Sequence, residues 1–204
     1  MSDTTAASGT LSHDDLATRI TARFPAVTTS EAFGELTVHA DAASLVALLT
    51  FCRDDEQVGC ELLADLSGVH WPAGGHSIER QPTTTGWPTF RFSEKEGVVE
   101  VLYMLRSIRN GHVLRVAVAT DDTDPRLPSV TRIYETANFH EREVYDFFGV
   151  EFEGHPDLTR ILMPDDWVGH PHRKDYPLGG VDVPYKHDKY IPPPDERSIR
   201  EVVR

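Results

Sequence analysis

Residues 98–120 read VVEVLYMLRSIRNGHVLRVAVAT. Two runs within it, Val98–Arg106 and His112–Thr120, are rich in β-branched and aromatic residues and alternate as strands do when one face is buried. Between them, Asn110-Gly111 indicates a hairpin turn, because both residue types tolerate a positive φ. The stretch therefore predicts two antiparallel strands joined by a tight connection.

Upstream of this hairpin the pattern predicts two helices and two further strands. Ser12 and Asp15 resemble a capping box, and Asp41 can accept a hydrogen bond at the start of a second helix. The predicted elements are a helix ending near Pro25 with Leu16, Ile20 and Phe24 at helical spacing, a strand at Glu35–His39, a helix after Asp41 with Leu45, Leu48, Leu49 and Cys52 on its apolar face, and a strand within Glu61–Trp71.

This order of elements predicts an α+β fold with a mainly antiparallel sheet, helices on one face, and an irregular helix-and-loop C-terminal extension. Residues 72–97 form a predicted long surface loop. Downstream of the sheet, Ser129 is predicted to cap a helical segment that Gly149 closes. The predicted organisation is a disordered N-terminus at 1–11, an α+β domain at 12–128, a charged segment at 129–177 and an extended Pro-rich tail at 178–204.

Composition and charge narrow the range of functions. The 204 residues carry a formal net charge of −13 and 39% hydrophobic residues. An acidic chain lacks the clustered Lys and Arg that nucleic acid or an anionic membrane would require, and no apolar run approaches the ~20 residues of a membrane helix. The N-terminus is polar and acidic where a secretory signal is basic and then apolar, which predicts a cytoplasmic protein. Cys52 and Cys60 are too few for a four-thiolate metal site and are predicted to be reduced core residues.

The most unusual stretch is 138–177, which reads NFHEREVYDFFGVEFEGHPDLTRILMPDDWVGHPHRKDYP. On a helix, Glu141 falls within the apolar stripe of Ala137 and Val144, so its carboxylate needs a partner. One interpretation is a solvated charged face with one buried Glu. The other is that Glu141 and Glu143 anchor Arg160, Arg173 or a partner's arginine; Arg142 and Asp146 are also spaced for a surface pair.

A metal-dependent enzyme is a further hypothesis for this stretch. It contains four histidines among several carboxylates, but none of them forms a His-Glu-x-x-His pair or another compact ligand motif. No Ser or Cys stands in a recognisable nucleophile setting, and both Gly-His-Pro triplets are typical of turns. Taken by themselves, these residues favour an interaction surface over an active site. The histidines are His140, His155, His170 and His172.

The motifs of this stretch resemble those of the 30-kDa subunit family of respiratory complex I, which is the C subunit of the bacterial NADH:quinone oxidoreductase. The resemblance is carried by Glu-Arg-Glu-Val-Tyr-Asp-Phe-Phe-Gly-Val, followed by Gly-His-Pro-Asp-Leu, and covers 124–177 closely. It extends through Asp-Pro-Arg-Leu-Pro-Ser-Val-Thr (124–131), Ala-Asn-Phe-His-Glu-Arg-Glu (137–143), Pro-Asp-Asp-Trp (164–167) and Arg-Lys-Asp-Tyr-Pro (173–177). Two positions depart from the family pattern: Thr159 stands in place of a basic residue, and His172 in place of an apolar one.

The resemblance implies a non-catalytic structural subunit of a proton-translocating enzyme that passes electrons from NADH to quinone. It places the chain in the quinone module of the peripheral arm, on the cytoplasmic side of the cell membrane, attached to the membrane only through the complex. No catalytic, cofactor-binding or metal residue is expected in this chain; FMN, iron–sulfur clusters and quinone are expected in partner subunits. The implied partners are a 49-kDa-type subunit (the D subunit), the iron–sulfur subunit carrying the terminal cluster (the B subunit) and other peripheral-arm subunits. The implied interface or interface-supporting residues are Glu141, Arg142, Glu143, Asp146, His155, Asp157, Arg160, Arg173, Lys174, Asp175 and Tyr176.

An alternative is the equivalent subunit of a related membrane complex, such as a ferredoxin- or F420-linked dehydrogenase or a membrane-bound hydrogenase. The residues of this chain do not distinguish these electron donors, because the donor binds to other subunits.

Overall fold

A computed structural model describes residues 10–73 and 96–176 of the chain. Within them, three helices and seven strands form. The described residues up to Lys174 belong to one compact unit, and Asp175 and Tyr176 belong to a second. Most of the predicted disordered N-terminus at 1–11, most of the predicted loop at 72–97 and all of the predicted tail at 178–204 fall outside the described residues. The elements are α1 (His13–Arg23), β1 (Thr28–Ala32), β2 (Glu35–Ala40), α2 (Ala42–Asp54), β3 (Leu62–Trp71), β4 (Val98–Arg106), β5 (Val113–Asp121), β6 (Arg126–Pro128), α3 (Ala137–Phe148) and β7 (Glu151–Glu153).

The central sheet has five strands in the order β1-β2-β5-β4-β3. The predicted hairpin is confirmed, because β4 and β5 pair antiparallel from Val98 opposite Asp121 to Arg106 opposite Val113. Strands β3 and β4 also pair antiparallel, as do β1 and β2, whereas β2 runs parallel to β5. The predicted mainly antiparallel sheet is thus observed, with one parallel pair that the pattern did not indicate.

One face of this sheet is apolar and carries the helices. The buried residues of β4 alternate with partly exposed ones, as do those of β5 apart from the additionally buried Ala117. The alternating buried residues of the two strands lie opposite each other across the hairpin. A single hydrophobic core joins these side chains to residues of all three helices, which confirms the prediction of helices on one face. The facing pairs are Val101–Val118, Tyr103–Val116 and Leu105–Leu114.

Local signals set the helix starts at α1 and α2 but not at α3. The Ser12 hydroxyl accepts the Asp15 N–H, and the Asp41 carboxylate accepts the Ser44 N–H at 2.8 Å, as predicted. The prediction that Ser129 caps a helix was wrong, since α3 begins eight residues later at Ala137. Ser129 and the following backbone N–H instead donate to a buried carboxylate, which holds residues 129–136 in turns.

The connection between β4 and β5 is longer than a two-residue turn. Gly111 takes a positive φ of 80°, but Asn110 does not. The Asn110 amide instead donates to the backbone carbonyls of Glu56 and Gln57, so its side chain ties the hairpin to the loop after α2. Asn-Gly therefore marked the hairpin correctly, while tertiary contacts decided the turn geometry.

The edge strand β1 was not predicted, because its sequence TTSEA is polar and four of its five residues are exposed. It joins β2 through a turn at Phe33 and Gly34, both of which have positive φ. The two cysteines are free and buried, as predicted. Among the described helices, none is both long and apolar enough to span a bilayer.

Candidate functional site

Glu141 lies fully buried beneath the start of the charged segment. Its carboxylate accepts the Ser129 hydroxyl at 2.7 Å and the Val130 N–H at 2.7 Å. Burial raises the pKa of Glu141 from 4.5 to about 7, against the lowering effect of the Val130 and Ser129 hydrogen bonds. The structure thus contains the buried Glu of the first interpretation, and the pairing of Glu141 with Arg160 was wrong, because Arg160 pairs with Asp146. The Glu141 carboxylate holds the chain's own backbone in place.

Asp146, five residues further along α3, is the hub of the segment. Its side chain is fully buried, and one oxygen forms an ion pair with Arg160 at 2.6 Å. The other oxygen accepts three consecutive backbone N–H groups, of Ile161, Leu162 and Met163, at 2.8–3.1 Å. Burial by itself raises the pKa of Asp146, but these donors outweigh it, so the pKa lies below its ordinary 3.8. One carboxylate thus shapes the whole turn that follows α3.

Two arginines complete this network without pairing as the spacing had indicated. Arg142 does not reach Asp146; its guanidinium donates to the Thr159 carbonyl and hydroxyl, both at 3.0 Å, and to the Arg160 carbonyl at 3.2 Å. Arg160 takes the Asp146 carboxylate instead and also donates to the Gly169 carbonyl at 3.0 Å. The i, i+4 pair of Arg142 and Asp146 does not form, because the loop at 159–163 offers both side chains several hydrogen-bond partners at once. Thr159, where the family has a basic residue, serves as an acceptor for Arg142.

The Gly-His-Pro turns place two histidines against α3. His155 contacts the Asn138 carbonyl at 3.1 Å and accepts the backbone N–H of Asp157, whose own side chain is exposed. His170 contacts the Asp146 carbonyl at 3.0 Å and packs so closely on Gly149 that an added Cβ would lie 2.7 Å from its ring. Gly149 is therefore required twice, since it also ends α3 with a φ of 79°.

Several large apolar side chains of the charged segment are exposed, which the sequence pattern had not singled out. Phe139 is 62% exposed, Leu162 60% and Val168 85%. They lie on elements that the network joins, because Arg142 stacks over the Phe139 ring and Arg160 holds the Gly169 carbonyl next to Val168. We use the name apolar patch for these three exposed side chains together with that of Ile161, which is 37% exposed. Glu143 is exposed on the same helix.

The remaining predicted residues stand at the end of the described chain. Arg173 follows the His170 turn, to whose carbonyl its N–H donates at 3.2 Å, and Lys174 is exposed. Asp175 is exposed and Tyr176 partly buried, and both belong to the second unit. His172 stacks on Phe147 with ring centroids 3.9 Å apart.

The four histidines of the segment do not gather around one point. Each turns towards a different part of the chain: His140 towards Asp65, His155 towards Asn138, His170 towards the Asp146 carbonyl and His172 onto Phe147. Within residues 10–73 and 96–176, no group of three or more His, Cys, Asp or Glu side chains is arranged to hold a metal ion. What the described residues do form is a folded segment in which Glu141 and Asp146 are turned inwards, whereas Glu143, Asp157 and Lys174 remain exposed.

Comparison with known proteins decides the family. A model of the respiratory-chain NADH dehydrogenase 30-kDa subunit family matches residues 38–182. The chain belongs to this family. The matched range contains the end of β2, the strands β3 to β5, α3 and the whole of the Asp146 network.

Curated relatives of the family carry one name, the C subunit of NADH-quinone oxidoreductase. That of Mycolicibacterium paratuberculosis is 47% identical over 163 residues, which are 80% of this chain and 60% of the relative. That of Nocardia farcinica is 46% identical over 164 residues (80% and 56%), and that of Acidothermus cellulolyticus 48% over 164 residues (80% and 74%). The chain thus spans 56–74% of the length of these relatives.

Two solved structures resemble the fold. A trypsin-resistant fragment (1-134) of Nqo5 superposes with a TM-score of 0.53 at 28% identity, covering 72% of this chain and 100% of the fragment. A chain of the membrane-bound sulfane sulfur reductase, an archaeal respiratory membrane complex, gives 0.51 at 25% identity, covering 81% of this chain and 85% of that one.

Proposed function

We propose that this chain is a structural, non-catalytic subunit of the peripheral arm of a proton-translocating NADH:quinone oxidoreductase. Membership of the 30-kDa subunit family and relatives named as the C subunit support the assignment. One observation carries the structural role. At the centre of the charged segment, the side chains of Arg142, Asp146 and Arg160 are engaged in internal hydrogen bonds, so the segment offers a shaped surface.

The apolar patch is the proposed contact surface for a neighbouring subunit. Exposed large apolar side chains that lie together on a rigid support are typical of interfaces, and a few such anchors supply most of the binding energy. The support here is rigid because Asp146 fixes the backbone of Ile161 and Leu162 directly. Glu143, Asp157, Arg173 and Lys174 are proposed to border this surface. Asp175 and Tyr176 are proposed as interface residues of the second unit. Glu141, Arg142, Asp146, His155 and Arg160 support it from within.

The proposed partners are a 49-kDa-type subunit and the subunit that carries the terminal iron–sulfur cluster, together with other peripheral-arm subunits. FMN, iron–sulfur clusters and quinone belong to those partners in this proposal. The site of action is the cytoplasmic side of the cell membrane, where the chain is held through the complex. The motifs at 124–177 support this arrangement by resemblance.

A second candidate is the corresponding subunit of a related membrane complex with another electron donor. The likeness to a chain of the archaeal sulfane sulfur reductase favours it, at 25% identity and a TM-score of 0.51. The relatives at 44–48% identity, which are named as the C subunit of NADH-quinone oxidoreductase, favour the first proposal more strongly.

The test is recovery of the tagged chain from solubilised native membranes, with mass spectrometry of the proteins that accompany it. Recovery with a 49-kDa-type subunit, the cluster-bearing subunit and NADH-oxidising subunits supports the first proposal. Recovery with hydrogenase or other input subunits moves the assignment to the second. A chain recovered without other subunits would contradict both.

Two variants test the patch within the same experiment. Leu162→Asp places a charge in the apolar patch, and we expect recovery of the partners to fall at least tenfold, because a buried unpaired charge costs several kcal/mol. Ile108→Asp is the matched control, since Ile108 is 68% exposed in the hairpin connection between β4 and β5. Equal recovery with both variants would contradict the patch as the contact surface.

A further inference from the structure

His70 occupies a position that the sequence pattern did not single out. It lies near the end of β3, and its side chain is fully buried. Its Nδ1 accepts the backbone N–H of Lys174 at 2.9 Å, 104 residues further along the chain. Its Nε2 lies 3.2 Å from the Asp122 carboxylate, just after β5. One imidazole therefore joins the sheet to the backbone of Lys174, near the end of the charged segment.

The hydrogen-bond partners determine which ring nitrogen carries the proton. A backbone N–H can only donate, so Nδ1 of His70 must be the unprotonated acceptor towards Lys174. The proton then resides on Nε2, where the Asp122 carboxylate accepts it. A carboxylate that accepts a hydrogen bond from one ring nitrogen fixes the tautomer and the orientation of the imidazole, as in histidine sites generally.

Asp122 is itself held in place by the backbone beside it. Its N–H donates to the Gly97 carbonyl at 3.2 Å, and its carboxylate lies so close to Gly97 that an added Cβ would stand 1.8 Å from Oδ2. Only glycine leaves room for the carboxylate at this point. The direction of the His70 ring is therefore set by Gly97 and Asp122 together.

We infer that His70 is a positioning residue that fixes the Arg173–Lys174 turn against the sheet for contact with a partner subunit. The inference rests on the proposed function for its consequence, since these two basic residues belong to the proposed interface. The tether itself stands on geometry within this chain. It fixes the backbone of Lys174 and leaves the exposed Lys174 side chain available for an acidic group of the partner.

Two conservative substitutions separate the two sides of the ring. The Asn oxygen can take the place of Nδ1, so His70→Asn keeps the acceptor for Lys174 and loses the contact with Asp122. The Gln amide reaches the place of Nε2, so His70→Gln keeps the contact with Asp122 and loses the acceptor. Both variants remove the ring, so they share the packing loss and differ in the hydrogen bond.

The experiment measures amide hydrogen exchange at Lys174 in the purified 204-residue chain. We expect exchange in His70→Gln to be roughly tenfold faster than in His70→Asn, the size of effect that one lost hydrogen bond produces. Global stability, measured by urea denaturation, should be similar in both. Equal exchange in the two variants would overturn the tether and leave His70 as a packing residue.

Recovery from membranes then tests the consequence separately. His70→Gln should recover fewer partner subunits than His70→Asn. If the Lys174 amide exchanges more slowly in His70→Asn than in His70→Gln, but both variants recover the same amount of partner subunits, the tether stands and its role in partner contact is overturned. If the unmodified chain recovers no partner, the proposed function fails while the exchange measurement still decides the tether.

Discussion

Glu141 gives the sharpest prediction, because its environment favours the protonated carboxyl group. The perturbation is Glu141→Gln, which removes the titrating proton and keeps the shape. The Gln oxygen can still accept the Val130 N–H, and its amide can donate to the Ser129 hydroxyl, so the fold should persist. The comparison therefore isolates ionisation from packing.

The magnitude follows from the raised pKa. Burial moves the pKa of Glu141 from 4.5 to about 7, which corresponds to about 3 kcal/mol of preference for the protonated form in the folded state. A group whose folded pKa is raised contributes stability that is fully present below the unfolded pKa and lost as pH rises through the folded one. Unfolding free energy should thus fall by about 2.5 kcal/mol between about pH 5 and about pH 8 through this residue.

The assay is urea denaturation of both proteins across this pH range, monitored by circular dichroism. The difference in unfolding free energy between the wild type and Glu141→Gln should decline by about 2.5 kcal/mol from about pH 5 to about pH 8. Glu143→Gln is the control, because it makes the same substitution at an exposed position on the same helix. A decline for Glu141→Gln that is no larger than the one for Glu143→Gln would refute the reasoning.

The other predictions concern stability and thiol reactivity. Asp146→Asn leaves the partly buried Arg160 without its counter-charge and should cost about 3 kcal/mol in urea denaturation; an unchanged midpoint would contradict the central role of Asp146. Gly149→Ala and Gly154→Ala should each cost about 1–2 kcal/mol of stability, because both glycines have a left-handed φ. Gly149→Ala should cost more than that, because its added Cβ also meets the ring of His170; equal shifts in melting temperature would argue against that contact. Burial raises the pKa of the Cys60 thiol to about 12 and that of Cys52 still higher, so alkylation at about pH 8 should be slow in the folded chain and fast in urea; rapid labelling of the folded chain would contradict their burial.

Much of the sheet domain could be predicted because its elements carry local signals. The caps at Ser12 and Asp41 and the alternation in β4 and β5 act over a few residues, so the sequence displays them directly. The polar strand β1 has no such signal, and its place depends on pairing with β2. The parallel pairing of β2 with β5 depends on a long connection through α2, β3 and β4, which no short pattern encodes.

The sequence by itself determined the fold class, the central hairpin, the two capped helices and, through its motifs, the family. Only the tertiary structure decided the partners of the charged residues. Glu141 binds the backbone at 130 instead of an arginine, and Asp146 takes Arg160 instead of Arg142. The reason is that the spacing of residues along a helix identifies only possible pairs on that helix, and each such pair contributes only a few tenths of a kcal/mol. A buried carboxylate gains far more from several donors that a distant loop brings to it, and those donors exist only once the chain has folded.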